Sequence, residues 1–499
     1  MKLQRAVWIL LAIASALVVV IATRWGAGVA PDSVAYLSAA ESIAAGRGAM
    51  EITAEGWRPL THFPPLYPLV LAAGVPMGVS PVIAARVLNA LLLPSFILLA
   101  AFIAFRGSER SFAAAILAAV LLLASRDAIA TWCMAWSEPL FLLLLFAFFA
   151  MFARSLERDD TRLLVAAAFV AAACVLVRHV GIAVVGTGAI AILLWGGGSM
   201  RRRFGKTALF TAVAIVPIVL WFLRNAAVSG SATSAPPAFH PLPFGAYYNG
   251  AENLWLFLTR GWDRVDWNRI PRNLQVLAAA FVLLFFLAAG LWERRRGAIV
   301  APLLALFVIV YLATFSAAGA ALYILVFDDR LLLPVTLTGA VLVVMLLIRW
   351  TAGKRLARTI IVTLIAVHAL LGALAVRSFV AQARADGLGY NSRSWRRSPL
   401  IARVARLPQP VSLCTNADDA VWFLTRRHAA TLPAKRSPMM PVANPIYSEE
   451  LQRGCGDVVA WFSTVPWRDY LPTREELLAS PALQEIAREK DGSLFVRRR

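Results

Sequence analysis

Asp32 stands in the stretch Ala30-Pro31-Asp32-Ser33-Val34-Ala35-Tyr36, just past the first apolar run of the chain, and is its first acidic residue. Glu138 opens a later apolar run, Ser137-Glu138-Pro139-Leu140-Phe141. A carboxylate at the margin of a membrane-sized apolar segment is costly unless it faces water, a partner charge or a substrate. Placed within hydrogen-bond reach of an acceptor hydroxyl, it can take the proton as that oxygen attacks, a contribution of about 100- to 10,000-fold. Asp32 is therefore the candidate base, and Glu138 a second carboxylate to orient an acceptor or a basic partner, with Asp127 its rival. The structural alternatives are an N-cap for Asp32 and a helix-start carboxylate, favoured by the helix dipole, for Glu138.

The elements that must position them follow from composition. Sixty per cent of the 499 residues are hydrophobic, more than a soluble domain of this length can bury, so the chain reads as an α-helical polytopic membrane protein. About eleven apolar runs are candidates to span a bilayer, separated by short polar punctuation. The formal charge of +21 is spread in short clusters between those runs instead of one stripe, which argues against a nucleic-acid partner. Lys and Arg resist translocation in short loops, so Lys2/Arg5, Arg106/Arg110, Arg154/Arg158/Arg162, Arg201 to Lys206, Arg294 to Arg296 and Arg349 to Arg358 mark cytoplasmic ends.

With a cytoplasmic N-terminus, Ala6 to Thr23 reads as an uncleaved signal anchor. Residues 25–82 then form a long outer loop. In it, Ser33 to Ala45 has the spacing of an interfacial helix capped by Asp32 or Ser33, and Leu69 to Val79 is a surface helix or a short span. Later crossings are expected at Val82 to Phe105, Ser111 to Ser125, Leu140 to Phe152, Leu163 to Val177, Ile182 to Trp195, Ala208 to Leu223 and Val276 to Leu291, with three more ending near Asp329, Ile348 and Val376. Residues 224–273 form a second outer loop. Its His240, Tyr247, Tyr248, Asn249, Glu252, Trp255, Trp262, Asp263, Asp266 and Trp267 suit sugar contact, though an interfacial aromatic belt with solvated charges is the commoner source of such composition.

A transmembrane domain of residues 1–376 is thus followed by a soluble region, 377–499, that lies outside the cytoplasm. Strands are expected at Val411 to Asn416, His428 to Leu432, Asp457 to Phe462 and Ser493 to Val496, with helices at Ala420 to Thr425 and Arg474 to Leu478: a small α/β domain. Cys414 and Cys455 fall there. They fit no metal motif, and both a disulfide and two unpaired thiols are open readings.

The order of these motifs resembles that of the GT-C class glycosyltransferases, near the protein O-mannosyltransferase and lipid A aminoarabinose transferase group. The resemblance rests on Asp32, on Pro64-Pro65-Leu66 closing the first loop, and on Ser137-Glu138-Pro139-Leu140-Phe141. It extends to Arg178-His179-Val180-Gly181, Trp221-Phe222-Leu223-Arg224-Asn225 and Asp329-Arg330-Leu331-Leu332-Leu333-Pro334. It implies a GT-C fold and a polyprenyl-phosphate-linked sugar donor used at the outer face of a membrane, a bacterial inner membrane on composition. The acceptor would be a lipid, glycan or protein, attacked with inversion, with Asp32 as base. The leaving phosphate calls for arginines, and Arg58, Arg126, Arg178, Arg224 and Arg330 are the candidates to bind it. Tyr36, His62, Tyr67, His179, Tyr248 and Asn249 are the candidate substrate contacts. Ser33 stands where some relatives place a second acidic residue, so no cofactor is implied and a divalent metal stays an open question. Phe63 stands where some relatives carry a lysine, which removes a phosphate contact that Arg58 or His62 would have to supply.

Three other readings compete, one of them a non-enzymatic membrane scaffold whose exported C-terminal domain binds a partner, which leaves Asp32, Glu138 and the arginines unexplained. A transporter or flippase for a lipid-linked saccharide would also need many spans, but its polar residues should meet near the bilayer centre in paired, broken helices. Transfer of a whole oligosaccharide or polymerisation of a glycan would use the same donor chemistry.

Overall fold

The structure, a computed structural model, describes residues 2–233, 239–260, 262, 266–322, 327–437 and 442–498. Asp263 of the second outer loop lies outside the described residues. In chain order the elements begin with α1 (Lys2–Ala22), α2 (Pro31–Ala44), β1 (Met50–Thr53), β2 (Gly56–Pro59), α3 (Leu66–Ala72), α4 (Pro81–Gly107), α5 (Phe112–Leu123) and α6 (Arg126–Trp132). They continue through α7 (Glu138–Arg158), α8 (Thr161–Val177), α9 (Ile182–Trp195), α10 (Met200–Ser229), α11 (Phe244–Thr259), α12 (Arg272–Trp292), α13 (Val300–Leu322), α14 (Asp329–Trp350) and α15 (Arg355–Asp386). The C-terminal region adds α16 (Arg393–Arg396), α17 (Pro399–Arg406), β3 (Leu413–Thr415), α18 (Asp418–Thr425), β4 (Ala430–Thr431), α19 (Tyr447–Arg453), β5 (Val458–Phe462), α20 (Arg474–Ala479), β6 (Leu483–Glu489) and β7 (Gly492–Arg497).

The chain folds as two compact units. The first holds Met1–Arg24, Thr61–Tyr67 and Ala84–Arg384; the second holds Trp25–Leu60, Pro68–Ile83 and Ala385–Arg499.

The first unit is a helix bundle. Among the described residues, α1, α4, α7, α10, α12, α13, α14 and α15 are each long and apolar enough to cross a membrane. A further span is made if α5 and α6, bent by 65° at their junction, are taken together. Helices α8 and α9 are shorter apolar helices, so every run read as a crossing is helical. With no hydrophobic drive between helices in lipid, close packing carries the association. The buried Ala167, Ala168, Ala171 and Ala172 make α8 thin enough for α7 and α10 to lie against it. Phe148, Phe152 and Phe210 fill the space beyond, with ring centroids 4.8 to 6.2 Å apart. At Gly372 of α15, an added Cβ would stand 2.6 Å from the Ala124 carbonyl oxygen. Glycine is what lets α15 reach the bend between α5 and α6.

The second unit centres on a five-stranded sheet in the order β4-β3-β5-β7-β6, with β4, β3 and β5 parallel and β5, β7 and β6 antiparallel. Its core is Cys414, Leu432, Val459, Leu477, Leu483 and Phe495. Cys414 and Cys455 form a disulfide. Strand β6, an edge strand, was not expected: Gln484, Ile486 and Arg488 are exposed while Glu485 and Glu489 are half-buried, so polar residues on both faces leave no apolar alternation to read. The hairpin of β1 and β2 was also not expected.

Helix α2 corrects the expected cap. The N-cap is Ala30, with Pro31 as the first helical residue and Asp32 in the first turn. Proline suits that position because its missing N–H is one the helix could not satisfy. Ser33 Oγ accepts from the Ala30 N–H at 3.1 Å. The Leu69 to Val79 stretch is broken as well, α3 ending at Ala72 and a single 3₁₀ turn following at Val75–Met77. Most of the described part of the stretch read as a second outer loop is helical, since α10 runs to Ser229 and α11 occupies Phe244–Thr259.

Candidate active site

In the first unit Glu138 begins α7, with its side chain 2% exposed. Arg178, the residue that ends α8 by turning to extended backbone, brings its guanidinium to within 2.6 Å of Glu138 Oε1 and donates to Ser137 Oγ at 3.2 Å. Arg330, in the first turn of α14, donates through Nε to the same Glu138 oxygen, and its guanidinium lies 4.2 Å from the Trp136 ring centre. One carboxylate thus holds two guanidiniums together against their mutual repulsion, and the trio carries one excess positive charge. In a site of low dielectric that excess favours an anion far more than the same arginines would in water.

A second cluster joins this one through adjacent residues. Arg260, just after α11, pairs with the buried Asp127 of α6 and lies 3.9 Å from Asp329. Arg126 is 4.0 Å from Asp127 and stacks 5.5 Å over Phe379. Asp329 neighbours Arg330, so the arginines form a belt across the ends of α6, α7, α8, α11 and α14. Asp328 caps α14, accepting from the Leu331 N–H at 2.6 Å. Four guanidiniums and four carboxylates balance over the belt, while the Glu138 end carries the positive excess.

Against the Asp127 end lies a cavity of about 310 Å³. Leu121, Phe257, Phe286, Val335 and Leu364 are among its walls, and Arg126, Asp127, Arg260 and His368, with Ser125 and Thr336, are its charged and polar lining. Trp262 Nε1 donates to His368 Nδ1 at 2.9 Å. An apolar chamber with arginines at one end is shaped for an amphiphile with an anionic head.

The remaining sequence candidates of the first unit are distributed. Arg224 lies over Trp221 at 4.7 Å and donates to Asn225 Oδ1 at 3.1 Å. His179 stacks on Phe222, and His62 meets Phe63 edge-on. Tyr67 is fully buried. On α11, Tyr248 donates to Asn273 Oδ1 at 2.9 Å beneath Arg272, and Asn249 is exposed.

In the second unit Asp32 is half-exposed and Tyr36, one turn on, is buried. Arg58 stands exposed on β2, 2.5 Å from Glu55. Among the described residues, no three His, Cys, Asp or Glu side chains are grouped to hold a metal ion.

No protein-family model and no curated protein matches the chain. Solved structures do. ArnT from Cupriavidus metallidurans in the apo state matches at TM-score 0.59 with 14% identity, over 98% of this chain and 98% of that one. The same enzyme bound to undecaprenyl phosphate gives 0.57 and 14%, over 98% and 97%. The mycobacterial arabinofuranosyltransferase AftD gives 0.56 and 14%, over 99% of this chain and 40% of that one. The fold is that of the GT-C glycosyltransferases.

Within this GT-C bundle two residues of the belt escaped the sequence reading. Arg260 sits in Leu258-Thr259-Arg260 behind an apolar helix and is 133 residues from its Asp127 partner. Trp136, whose ring faces Arg330, precedes Glu138 by two residues in a stretch whose aromatic has no periodic signature. Arginine at the end of an apolar helix is the signal that could have found Arg260, since it is the same signal that marks Arg178.

Proposed function

We propose that this protein transfers a sugar from a polyprenyl-phosphate donor to a lipid, glycan or protein acceptor at the outer face of a membrane, a bacterial inner membrane on composition. The observation that carries the reading is the junction of an apolar cavity with the arginine belt: Arg260, on the cavity wall, lies 3.9 Å from Asp329, whose neighbour Arg330 is held by Glu138. The polyprenyl chain occupies the cavity and the phosphate engages Arg126, Arg260 and the Glu138-held pair Arg178 and Arg330. Undecaprenyl phosphate bound to ArnT, a protein of the same fold, supports this choice of carrier.

In this reading the acceptor hydroxyl oxygen bonds the anomeric carbon from the face opposite the phosphate, and Asp32 takes the hydroxyl proton. The bond from that carbon to the phosphate oxygen breaks, its electron pair stays with the phosphate, and the sugar is inverted. Arginines aimed at the departing oxygen are worth several kcal/mol where water is excluded. Glu138 is a positioning group that keeps two of them in place. Arg58, Arg224, Tyr36, His62, Tyr67, His179, Tyr248 and Asn249 remain proposed contacts to donor or acceptor.

The test is donor binding by purified protein in lipid. Arg330→Ala should weaken undecaprenyl phosphate roughly 10- to 150-fold, the range of one charge-assisted hydrogen bond, while thermal stability is largely kept because Glu138 stays paired with Arg178. Unchanged affinity would remove the belt from phosphate recognition.

A further inference from the structure

Asp32 lies in the first turn of a helix whose approach is tied down within its own unit by a short stretch far along the chain. The backbone carbonyls of alternate residues Trp25 and Ala27 are held by Asn391, and that of Val29 by Tyr390. Asn391 Nδ2 donates to the Trp25 oxygen at 2.8 Å and to the Ala27 oxygen at 3.0 Å, and the Tyr390 N–H donates to the Val29 oxygen at 2.7 Å. Alternation by two is what an extended strand presents along one edge, and Val29 and Gly389 do form a parallel bridge. Gly389 has φ +56°, and an added Cβ would fall on the Val29 carbonyl, so this contact needs glycine there.

This seam is itself braced. Asn391 is fully buried, and its Oδ1 accepts from Arg396. The Tyr390 hydroxyl donates to Asp419 Oδ2 at 2.9 Å, and Arg468 bridges Asp419 at 2.9 Å and Asp418 at 2.6 Å. Burial pushes the Tyr390 hydroxyl far up, so it stays a donor, and the flanking aspartates keep Arg468 charged. The far end of α2 has its own tie, Glu41 Oε1 accepting from Arg426 Nη2 at 2.9 Å. Such investment in a loop of few residues is more than a linker needs, and it ends three residues before Asp32.

We infer that Asn391 and Tyr390 are positioning residues for Asp32, by which the C-terminal region sets the carboxylate's place in the proposed transfer reaction. The inference rests on the reading of Asp32 as base. Misplacing a reacting group by about 1 Å costs on the order of 100-fold.

The experiment compares Asn391→Ala and the isosteric Asn391→Asp, which keeps the acceptor for Arg396 but loses the donor to Trp25 and Ala27. Each is made in the wild type and in Asp32→Asn. Turnover should fall about 10- to 100-fold in the wild-type background with donor KM unchanged, and should not fall further in the Asp32→Asn background. Equal losses in both backgrounds, or a loss carried in KM, would overturn the inference. Hydrogen exchange reads the seam without activity: amides of residues 29–36 should exchange about tenfold faster in both variants while those of β5 and β7 keep their protection. Unchanged exchange at residues 29–36 would overturn it too. Absence of transfer by wild type, or full transfer by Asp32→Asn, would instead defeat the reading of the base and leave the exchange result to decide the seam.

Discussion

Arg178 approaches Glu138 at 2.6 Å from a helix end 40 residues away, and the Glu138 carboxylate it meets is 2% exposed. Removing one member of a buried pair leaves the others uncompensated, at a cost of roughly 3 to 5 kcal/mol. Glu138→Ala should therefore lower the melting temperature in detergent and also weaken the donor, because Arg178 and Arg330 then repel. Glu138→Gln, which keeps the shape, should lose less stability than Glu138→Ala. Identical melting of both variants and wild type would show that the carboxylate does not hold the arginines.

Gly339 of α14 lines the cavity, and an added Cβ there meets nothing within 4 Å. Gly339→Leu puts a side chain into the chamber while replacing a poor helix former, worth about 1 kcal/mol in the helix's favour. Melting temperature should hold or rise while affinity for undecaprenyl phosphate drops at least about tenfold. Retained affinity would place the lipid tail elsewhere.

Cys414 and Cys455 close a loop of 41 residues in the C-terminal sheet. Chain-entropy arguments give such a link about 4 kcal/mol. A Cys414→Ser/Cys455→Ser double variant should expose the C-terminal region to protease at lower temperature while the helix bundle keeps its melting transition. Unchanged protease resistance would contradict this.

How far the sequence could be read depended on where the signal lay. Each apolar run is a property of consecutive residues, so every run read as a crossing was legible as a helix, while the shorter Leu69 to Val79 stretch is broken after Ala72. Glu138, Arg178 and Arg330 were legible as charges at the ends of those runs, but their convergence on one carboxylate joins residues up to 192 apart and belongs to the packing. The α2 cap was misread because Asp32 and Ser33 are ordinary caps, whereas Pro31 shifted the start to Ala30. Strand β6 was hidden because polar residues stand on both its faces and Ile486 is exposed. Asn391 could not have been found: its partners are backbone carbonyls more than 360 residues away, and a carbonyl leaves no mark in a sequence.

The central claim is chemical, and transfer measures it directly. Purified protein in lipid should move radiolabel from at least one polyprenyl-phosphate sugar to an envelope lipid, glycan or protein. Asp32→Asn, equally stable and equally able to bind undecaprenyl phosphate, should reduce that transfer about 100- to 10,000-fold. Transfer by the variant at the wild-type rate would contradict Asp32 as the base, and donor binding without transfer to any acceptor would contradict a transferase.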